Sequence, residues 1–290
     1  MDSAHDRVAE TKGGELVSSL TTQKEQSQAC NDDATILFPA SIKTASVSVQ
    51  EGYERWAETY DKTPNPLLAL EERYLTSVLP NLAGSSVLDL GCGTGRWLDR
   101  LLLRGASKVV GIDLSAAMLG VAQRSAGIRD RLVLGDGLRL PFQSSVFDFV
   151  LSSFALNHIT DLKAIAQALA RTMRLDGRLL ISEMHPEAYA RGWRPGFRDM
   201  RSAVQIKTVS HPAENVISSF QSNRFVFLRS HDLFFAEPEY PIFLASGRGG
   251  KFESACNVPA IQVYEFQKIE PRSNFEINKA SARSVVGLPR

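Results

Sequence analysis

Asp89 and the three alternate glycines after it are the residues of this sequence best suited to hold a cofactor. The stretch reads Val87-Leu88-Asp89-Leu90-Gly91-Cys92-Gly93-Thr94-Gly95, an apolar run with an acid near its end and then a glycine turn. Alternate glycines let the backbone turn tightly and approach a ligand without Cβ clashes. Residues 96–104 continue with a helical pattern that ends at Gly105. We therefore predict a strand, a ligand-binding loop and a helix N-terminus in succession.

The charge and size of two residues indicate which cofactor this loop would bind. A dinucleotide fingerprint needs a small residue three positions after its second glycine, where this chain has Arg96. Asp89 would repel a pyrophosphate, whereas it would attract a ligand that carries an ammonium and a sulfonium. These features favour S-adenosylmethionine over a nicotinamide dinucleotide. The alternative is a glycine turn that only links a strand to a helix.

Two further acids follow at the ends of predicted strands. Asp113 ends an apolar strand over residues 108–113 and could accept hydrogen bonds from both hydroxyls of a ribose. Residues 131–137 read as a third strand, in which Asp136 could accept a hydrogen bond from the amino group of adenine, with Leu138 covering the ring. Either acid alone could simply cap the next helix. Their order along the chain favours a nucleoside site.

These motifs resemble a known family, the class I S-adenosylmethionine-dependent methyltransferases, in the branch that includes the ubiquinone and menaquinone biosynthesis methyltransferases. The resemblance is specific over residues 53–149 and looser as far as Lys268. By this resemblance, residues 89–95 are the family's glycine loop. Asp113 is similarly its ribose-binding acid and Asp136 its adenine-side acid.

The segment before the loop also resembles the family. Tyr53, Trp56 and Tyr60 share one face of a predicted helix, as in the aromatic N-terminal helix that folds over the family's cofactor. Packing in the core is the alternative for this face. The predicted cofactor-binding residues are Tyr60, Asp89, Gly91, Cys92, Gly93, Gly95, Asp113, Leu114, Asp136, Gly137 and Leu138.

The remaining pattern predicts an α/β fold with a doubly wound, mostly parallel sheet of seven strands. Strands are expected over residues 146–152 and 177–183, and helices over 67–79, 115–124 and 161–173. By resemblance, residues 224–228 and 260–267 form a final antiparallel pair. The spacer over residues 185–222 is longer than a simple crossover needs and could form a lid.

Length and composition predict one catalytic domain over residues 46–270, with a disordered tail over residues 1–45 and a loose tail over residues 271–290. A mitochondrial transit peptide is disfavoured because Asp2, Asp6, Glu10 and Glu15 make the N-terminus acidic.

The charge balance and the cysteines restrict the partners. The net charge is +1, with 33 basic and 32 acidic residues, which disfavours nucleic acid as a substrate. Three cysteines without metal-ligand spacing predict no metal site and a reducing compartment. Without an apolar run of membrane length or a signal-peptide core, we expect a soluble, cytoplasmic protein.

Two histidines are candidates for acid–base chemistry because they follow the fourth and fifth strands, whose carboxyl ends face the ligand edge of such a sheet. His158 precedes a predicted helix, and His185 precedes Pro186. Either could act as general base on a phenol or enol. Alternatively, His158 orders its loop and His185 bonds to the backbone.

Other residues could contribute to the acceptor side. His211 could line a pocket or lie on the surface, and Glu183 could be a buried acid or a cap. Another group could form a lid over an aromatic or acidic substrate, or equally a solvated basic turn. This group consists of Trp193 and Phe197 with Arg191, Arg194 and Arg198.

The function that these features predict is methyl transfer from S-adenosylmethionine to an oxygen, a nitrogen or an activated ring carbon of a small molecule. In-line displacement at a methyl group mainly requires alignment of the two reactants and exclusion of water. The alternatives are a nicotinamide-dependent oxidoreductase and a methyltransferase-like binding protein without turnover.

Overall fold

The computed structural model describes residues 44–198 and 203–270, in which strands and helices alternate along most of the chain. The strands are β1 (Thr44–Val47), β2 (Ser86–Leu90), β3 (Lys108–Asp113), β4 (Leu132–Leu134), β5 (Phe147–Ser153), β6 (Met173–Met184), β7 (Gly196–Arg198), β8 (Ala203–Ile206), β9 (Phe225–Leu233) and β10 (Ile261–Lys268). The α-helices are α1 (Val49–Trp56), α2 (Pro66–Val78), α3 (Leu98–Leu103), α4 (Ala116–Ala122), α5 (Leu162–Thr172), α6 (Pro186–Ala190), α7 (Ala213–Gln221), α8 (Tyr240–Ala245) and α9 (Phe252–Cys256).

Seven of these strands form one sheet in the order β4-β3-β2-β5-β6-β10-β9. The pairs from β4 to β6 are parallel, and β10 is antiparallel to both of its neighbours. The strand order reverses between β2 and β5, so a crevice forms at the carboxyl ends of these strands. The prediction of a doubly wound, seven-stranded sheet with a final antiparallel pair is confirmed.

Apolar strands and capped helices explain why this sequence adopts the fold. All five residues of β2 are buried, as expected for a strand covered on both faces. Ser115 and Asp161 accept hydrogen bonds from Met118 N and Ala164 N, and they begin α4 and α5 where the sequence indicated. The helix after the glycine loop is shorter than predicted because residues 94–97 form turns, so that α3 begins at Leu98.

Some boundaries in the second half differ from the predictions. Strand β6 begins at Met173 rather than at residue 177, and β9 continues to Leu233. Helices α8 and α9, between β9 and β10, were not predicted. They are short, five or six residues each, and several of their aromatic side chains pack against one another instead of following a long amphipathic period.

The long spacer contributes to a second, three-stranded sheet in the order β1-β8-β7. Strand β8 pairs in parallel with β1, which lies directly before α1 in the chain. Trp56 stacks on Phe197 with ring centroids 5.2 Å apart. Trp193 and Phe197 are both buried, so the interpretation of their segment as a solvated turn is wrong for these two aromatic rings.

Two of the predicted segments cannot be compared with the structure. The predicted N-terminal tail lies, apart from its last two residues, outside the described residues, and so does the predicted tail over residues 271–290. In the described part of the chain, no helix combines the length and apolar character needed to cross a bilayer.

Gly52 provides a test of how closely α1 packs on the small sheet. A Cβ at this position would lie 2.6 Å from Ile206 Cγ1 and 3.3 Å from Val47 Cγ2. We expect Gly52→Val to lower the free energy of unfolding by about 1 to 3 kcal/mol because the added methyl groups overpack this contact. Urea unfolding followed by circular dichroism measures the change.

Gly120→Val is the matched control, because Gly120 is also helical and nothing lies within 4 Å of its added Cβ. Valine has a better helix propensity than glycine, so this variant should be neutral or slightly more stable. Equal effects of the two substitutions would show that α1 does not depend on close contact with β8.

Candidate active site

The glycine loop lies between the carboxyl end of β2 and the start of α3. Gly91, Gly93 and Gly95 have φ values of 70°, 55° and 84°, which favour glycine. Gly91 N and Cys92 N donate to the carbonyl of Ile112 at 2.8 and 3.1 Å. The loop is therefore held against the end of β3 by its own backbone.

Asp113, the last residue of β3, fixes this loop from the other side. Its Oδ2 accepts a hydrogen bond from Gly93 N, and its Oδ1 accepts one from Ser115 N, both at 2.8 Å. Burial raises the pKa of the Asp113 carboxyl, and the backbone donors oppose that shift. One carboxylate thus connects the glycine loop to the N-terminus of α4.

A cavity of about 380 Å³ lies at the carboxyl ends of β2, β3 and β4. Eight of the eleven predicted cofactor-binding residues line it: Tyr60, Gly91, Gly93, Asp113, Leu114, Asp136, Gly137 and Leu138. The described residues around it include two carboxylates and no lysine or arginine. An uncompensated pair of acids favours a cationic ligand.

Three of the predicted cofactor residues do not line this cavity. The Cys92 side chain is buried towards β3, where a Cβ on Gly111 would lie 2.7 Å from the sulfur. Gly95 packs towards the helical layer, and a Cβ there would lie 2.4 Å from Ile128 Cδ1. Asp89 is only 1% exposed and lies beneath the loop.

The burial of Asp89 changes its predicted role, which was to attract a cationic ligand with a carboxylate charge beside the glycine loop. Among the described residues, neither carboxylate oxygen has a hydrogen-bond partner, and burial raises the pKa of Asp89 to about 8, although Arg96 opposes the shift. The negative charge facing the cavity therefore comes from Asp113 and Asp136.

Arg96, the residue that breaks the dinucleotide fingerprint, has a structural partner. Its Nη2 donates to the carboxylate of the fully buried Glu71 and to Ser153 Oγ. Glu71 also accepts hydrogen bonds from Ser153 and Ser182. This ion pair connects the loop to α2 and to the central strands, and sequence patterns gave no sign of it.

His158 lies where the large cavity meets a smaller one of about 50 Å³. Its Nε2 lies 2.8 Å from the Tyr53 hydroxyl, whereas its Nδ1 is buried without a hydrogen-bond partner among the described residues. Burial lowers the pKa of His158 to about 4. The ring is therefore neutral at physiological pH, and its buried Nδ1 makes no hydrogen bond to the described residues.

The other predicted acceptor-side residues lie elsewhere. His185 is not among the residues that line either cavity, because it begins α6: its Nδ1 accepts from Glu187 N and its Nε2 lies 3.5 Å from Asp232. His211 is buried with Nε2 2.8 Å from the carbonyl of Ile159.

Glu183 is fully buried, and this burial raises its pKa to about 8. The amide of Asn157 donates to Glu183 at 3.3 Å, which makes this acid part of the packing behind His158. In the described part of the chain no group of His, Cys, Asp or Glu is placed to hold a metal ion.

Sequence reasoning missed several residues of the large cavity. Tyr53 was placed on the aromatic face, but Tyr60 alone was selected from it. The residues directly after β5 were expected to face the acceptor, and they line the larger cavity as well. The additional lining residues are Val49, Gln50, Leu90, Ile112, Ser115, Met118, Gly135, Ser153, Phe154, Ala155, Ile159 and Thr160.

Comparison with known proteins finds methyltransferases that are similar to part of this chain. A family model described as "Methyltransferase domain" matches residues 87–177, from β2 through the glycine loop and into β6. The demethylmenaquinone methyltransferase of Tropheryma whipplei is 33% identical over 153 residues, which are 50% of this chain and 62% of that protein. These matches agree with the prediction that the chain resembles the class I S-adenosylmethionine-dependent methyltransferases over the residues they cover.

Solved structures of methyltransferases share the fold of this chain. An S-adenosylmethionine-dependent methyltransferase of Mesorhizobium loti has a TM-score of 0.56 at 20% identity and covers 70% of this chain and 100% of that one. Geranyl diphosphate C-methyltransferase of Streptomyces coelicolor, in complex with S-adenosyl-L-homocysteine, has a TM-score of 0.53 at 17% identity, with coverages of 69% and 76%. The chain spans less than two thirds of the length of the curated relatives it matches.

The raised pKa of Asp89 predicts a pH dependence of stability. Between its unfolded pKa of about 4 and its folded pKa of about 8, the folded protein retains a proton that the unfolded chain releases, so the free energy of unfolding falls as pH rises through this window. Asp89→Asn removes this titration and should make the fall between pH 6.5 and 8 shallower. Urea unfolding at several pH values in this range measures it.

Asp130→Asn is the control because Asp130 is exposed. It should leave the slope of stability against pH unchanged. If Asp89→Asn follows the same slope as the parent protein, Asp89 is already ionised in the fold.

Proposed function

We propose that this protein transfers a methyl group from S-adenosylmethionine to a small-molecule acceptor, through the domain predicted over residues 46–270. The observation that carries the proposal is the pair of adjoining cavities, which share Tyr53, Tyr60, Phe154 and His158. The larger, acidic cavity suits the cofactor, and the smaller one suits the acceptor. Two reactants in these cavities would meet at the shared residues.

The residues of the larger cavity fit the cofactor by charge and size. Its volume of about 380 Å³ lies in the usual range for small-molecule sites. Asp113 would accept hydrogen bonds from the ribose and Asp136 from the adenine amino group, with Leu114 and Leu138 beside the ring. The glycines at 91 and 93 allow the backbone to approach the methionine part closely.

The chain's own task is alignment and exclusion of water. S-adenosylmethionine, when bound, supplies a methyl group on an already activated sulfonium. Val49, Gln50 and Tyr53 of α1, together with Tyr60, contribute to the wall of the larger cavity. Holding two reactants in a productive geometry can contribute about 7 to 11 kcal/mol to lowering a barrier.

His158 is the group we assign to accept a proton from a phenol, an enol or another protonated nucleophile. In the tautomer in which Nε2–H donates to the Tyr53 oxygen, Nδ1 keeps a free lone pair. With a pKa of about 4, the base form persists through the neutral range. His185 has its Nδ1 engaged by Glu187 N, which leaves His158 as the better candidate.

The observations favour this proposal over the two alternatives. The position that a nicotinamide dinucleotide needs small is Arg96, and its ion pair with Glu71 is built into the fold. A binding protein without turnover would be indicated if the cofactor bound but no labelled methyl group were transferred. A screen with isotopically labelled S-adenosylmethionine against small-molecule extracts tests the whole proposal, and a quinone, suggested by the name of the Tropheryma relative, belongs among the acceptors tested.

Asp113→Ala is expected to weaken the binding of S-adenosylmethionine by about 1 to 3 kcal/mol, because hydrogen bonds to a charged acceptor are lost. This corresponds to about a 5- to 150-fold increase in the dissociation constant. Isothermal titration calorimetry with S-adenosylmethionine and with S-adenosylhomocysteine measures the change. Binding that remains unchanged would remove Asp113 from the site.

Asp113→Ala also removes the hydrogen bonds to Gly93 N and Ser115 N, which could disturb the glycine loop itself. Asp113→Asn is therefore measured beside it. It retains one carbonyl oxygen that can accept from Gly93 or Ser115, but not the charge. Asp130→Ala, at an exposed position, should bind the cofactor as the parent protein does.

His158→Gln is expected to lower kcat by about a hundredfold to ten-thousandfold on an acceptor with a protonated nucleophile, the range typical of general base catalysis. The dissociation constant of S-adenosylhomocysteine should change little, because the substitution preserves size and a hydrogen bond to Tyr53. Initial rates of labelled-methyl transfer and calorimetry measure the two quantities. If His185→Gln produces the loss instead, the roles of the two histidines are reversed.

A further inference from the structure

The two adjoining cavities differ in charge. The larger one is lined by Asp113 and Asp136 and has no basic side chain among its described residues. The smaller one is lined by Arg194 and has no Asp or Glu among its described residues. His158, shared by both, is neutral because burial lowers its pKa to about 4. The acceptor side is therefore permanently cationic, whereas the cofactor side is anionic.

Arg194 is held in place without being neutralised. Its Nη1 donates to the carbonyls of Tyr189 and Trp193 at 2.8 and 2.6 Å, and its guanidinium lies 5.1 Å from the centroid of the Tyr189 ring. No carboxylate of the described residues forms an ion pair with it. Two carbonyls and an aromatic face orient a guanidinium, but they leave its charge and its remaining N–H groups for a ligand.

The other walls of the smaller cavity are mainly aromatic and aliphatic. Tyr53, Trp56, Tyr60 and Tyr189 line it, together with leucine, methionine and proline side chains. Its volume of about 50 Å³ would hold only a few water molecules, since each needs about 10 to 15 Å³. Such walls suit the faces of a compact planar group.

We infer that the methyl acceptor is a compact, planar carboxylic acid whose carboxylate pairs with Arg194 and whose nucleophilic group faces His158. This inference rests on the proposed function and narrows its substrate class. A guanidinium forks towards two oxygens, so it recognises a planar carboxylate better than a neutral amide of the same shape. The aromatic walls then contact the body of the acid, and the nucleophile lies at the boundary with the cofactor cavity.

Matched acids and amides test the inference directly. Single-ring acids of a size that this small cavity could hold, namely benzoate, salicylate and para-hydroxybenzoate, each beside its carboxamide, are titrated by calorimetry into the 290-residue protein with S-adenosylhomocysteine present. We expect acids that bind to do so about 10- to 150-fold more tightly than their amides, the range for hydrogen bonds to charged groups. Labelled-methyl transfer to the hydroxylated members gives a second readout.

Variants of Arg194 test whether this residue causes the tighter binding of acids than of their amides. Arg194→Met keeps the length of the stem and should abolish the difference between acid and amide, while Arg194→Lys should retain part of it. Arg191→Met is the matched control, because Arg191 pairs with Glu187 on the surface of α6. Unchanged thermal unfolding and an unchanged S-adenosylhomocysteine dissociation constant show that each variant is folded.

Two outcomes overturn the inference: no acid in the panel binds more tightly than its amide, or Arg194→Met weakens acids and amides equally. Failure of S-adenosylhomocysteine to bind is a separate result, read before any acid is added. That failure counts against the proposed function, and the acid–amide comparison can still be made without the cofactor product.

Discussion

The bridge that Asp113 makes between Gly93 N and Ser115 N is the interaction on which the site depends. The positive φ values of the loop glycines exclude a regular helix or strand, so the loop's shape depends on two acceptors at the end of β3, the Ile112 carbonyl and the Asp113 carboxylate. A carboxylate offers about four acceptor positions, and the backbone uses two of them. The same side chain can therefore hold the loop and still accept hydrogen bonds from a ligand.

Arg96 departs from the dinucleotide fingerprint, and in this fold it forms an ion pair with the buried Glu71. A buried carboxylate such as Glu71 is costly unless it is paired and hydrogen-bonded. Arg96, Ser153 and Ser182 supply those partners, so the residue after the glycine loop connects it to α2, β5 and β6. A small residue here would leave Glu71 without its cation. The residue that breaks the dinucleotide fingerprint thus also fixes the glycine loop to the central strands.

Local patterns predicted the main sheet because each parallel strand is a short apolar run and each acid stands at its end. The small sheet could not be predicted, since β1 and β8 are four residues long and pair across most of the chain. The two histidines illustrate a similar limit. Both follow a strand, but Pro186 starts a helix that uses the His185 ring as its cap, whereas His158 follows a short 3-10 turn that leaves its ring between the cavities. Only tertiary packing decides which ring meets a ligand.

The burial of Asp89 decides which charges lie near the glycine loop. If Asp89 were exposed and ionised, three carboxylates would surround the loop and would attract the Arg96 guanidinium. Instead, burial keeps Asp89 largely protonated at neutral pH, and Arg96 is committed to Glu71. The charges that remain free to act on ligands are Asp113 and Asp136 on one side and Arg194 on the other. Since the cavities share Tyr53 and Tyr60, aromatic faces separate these opposite charges, and ligands of opposite sign can approach each other there without an intervening ion pair from the protein.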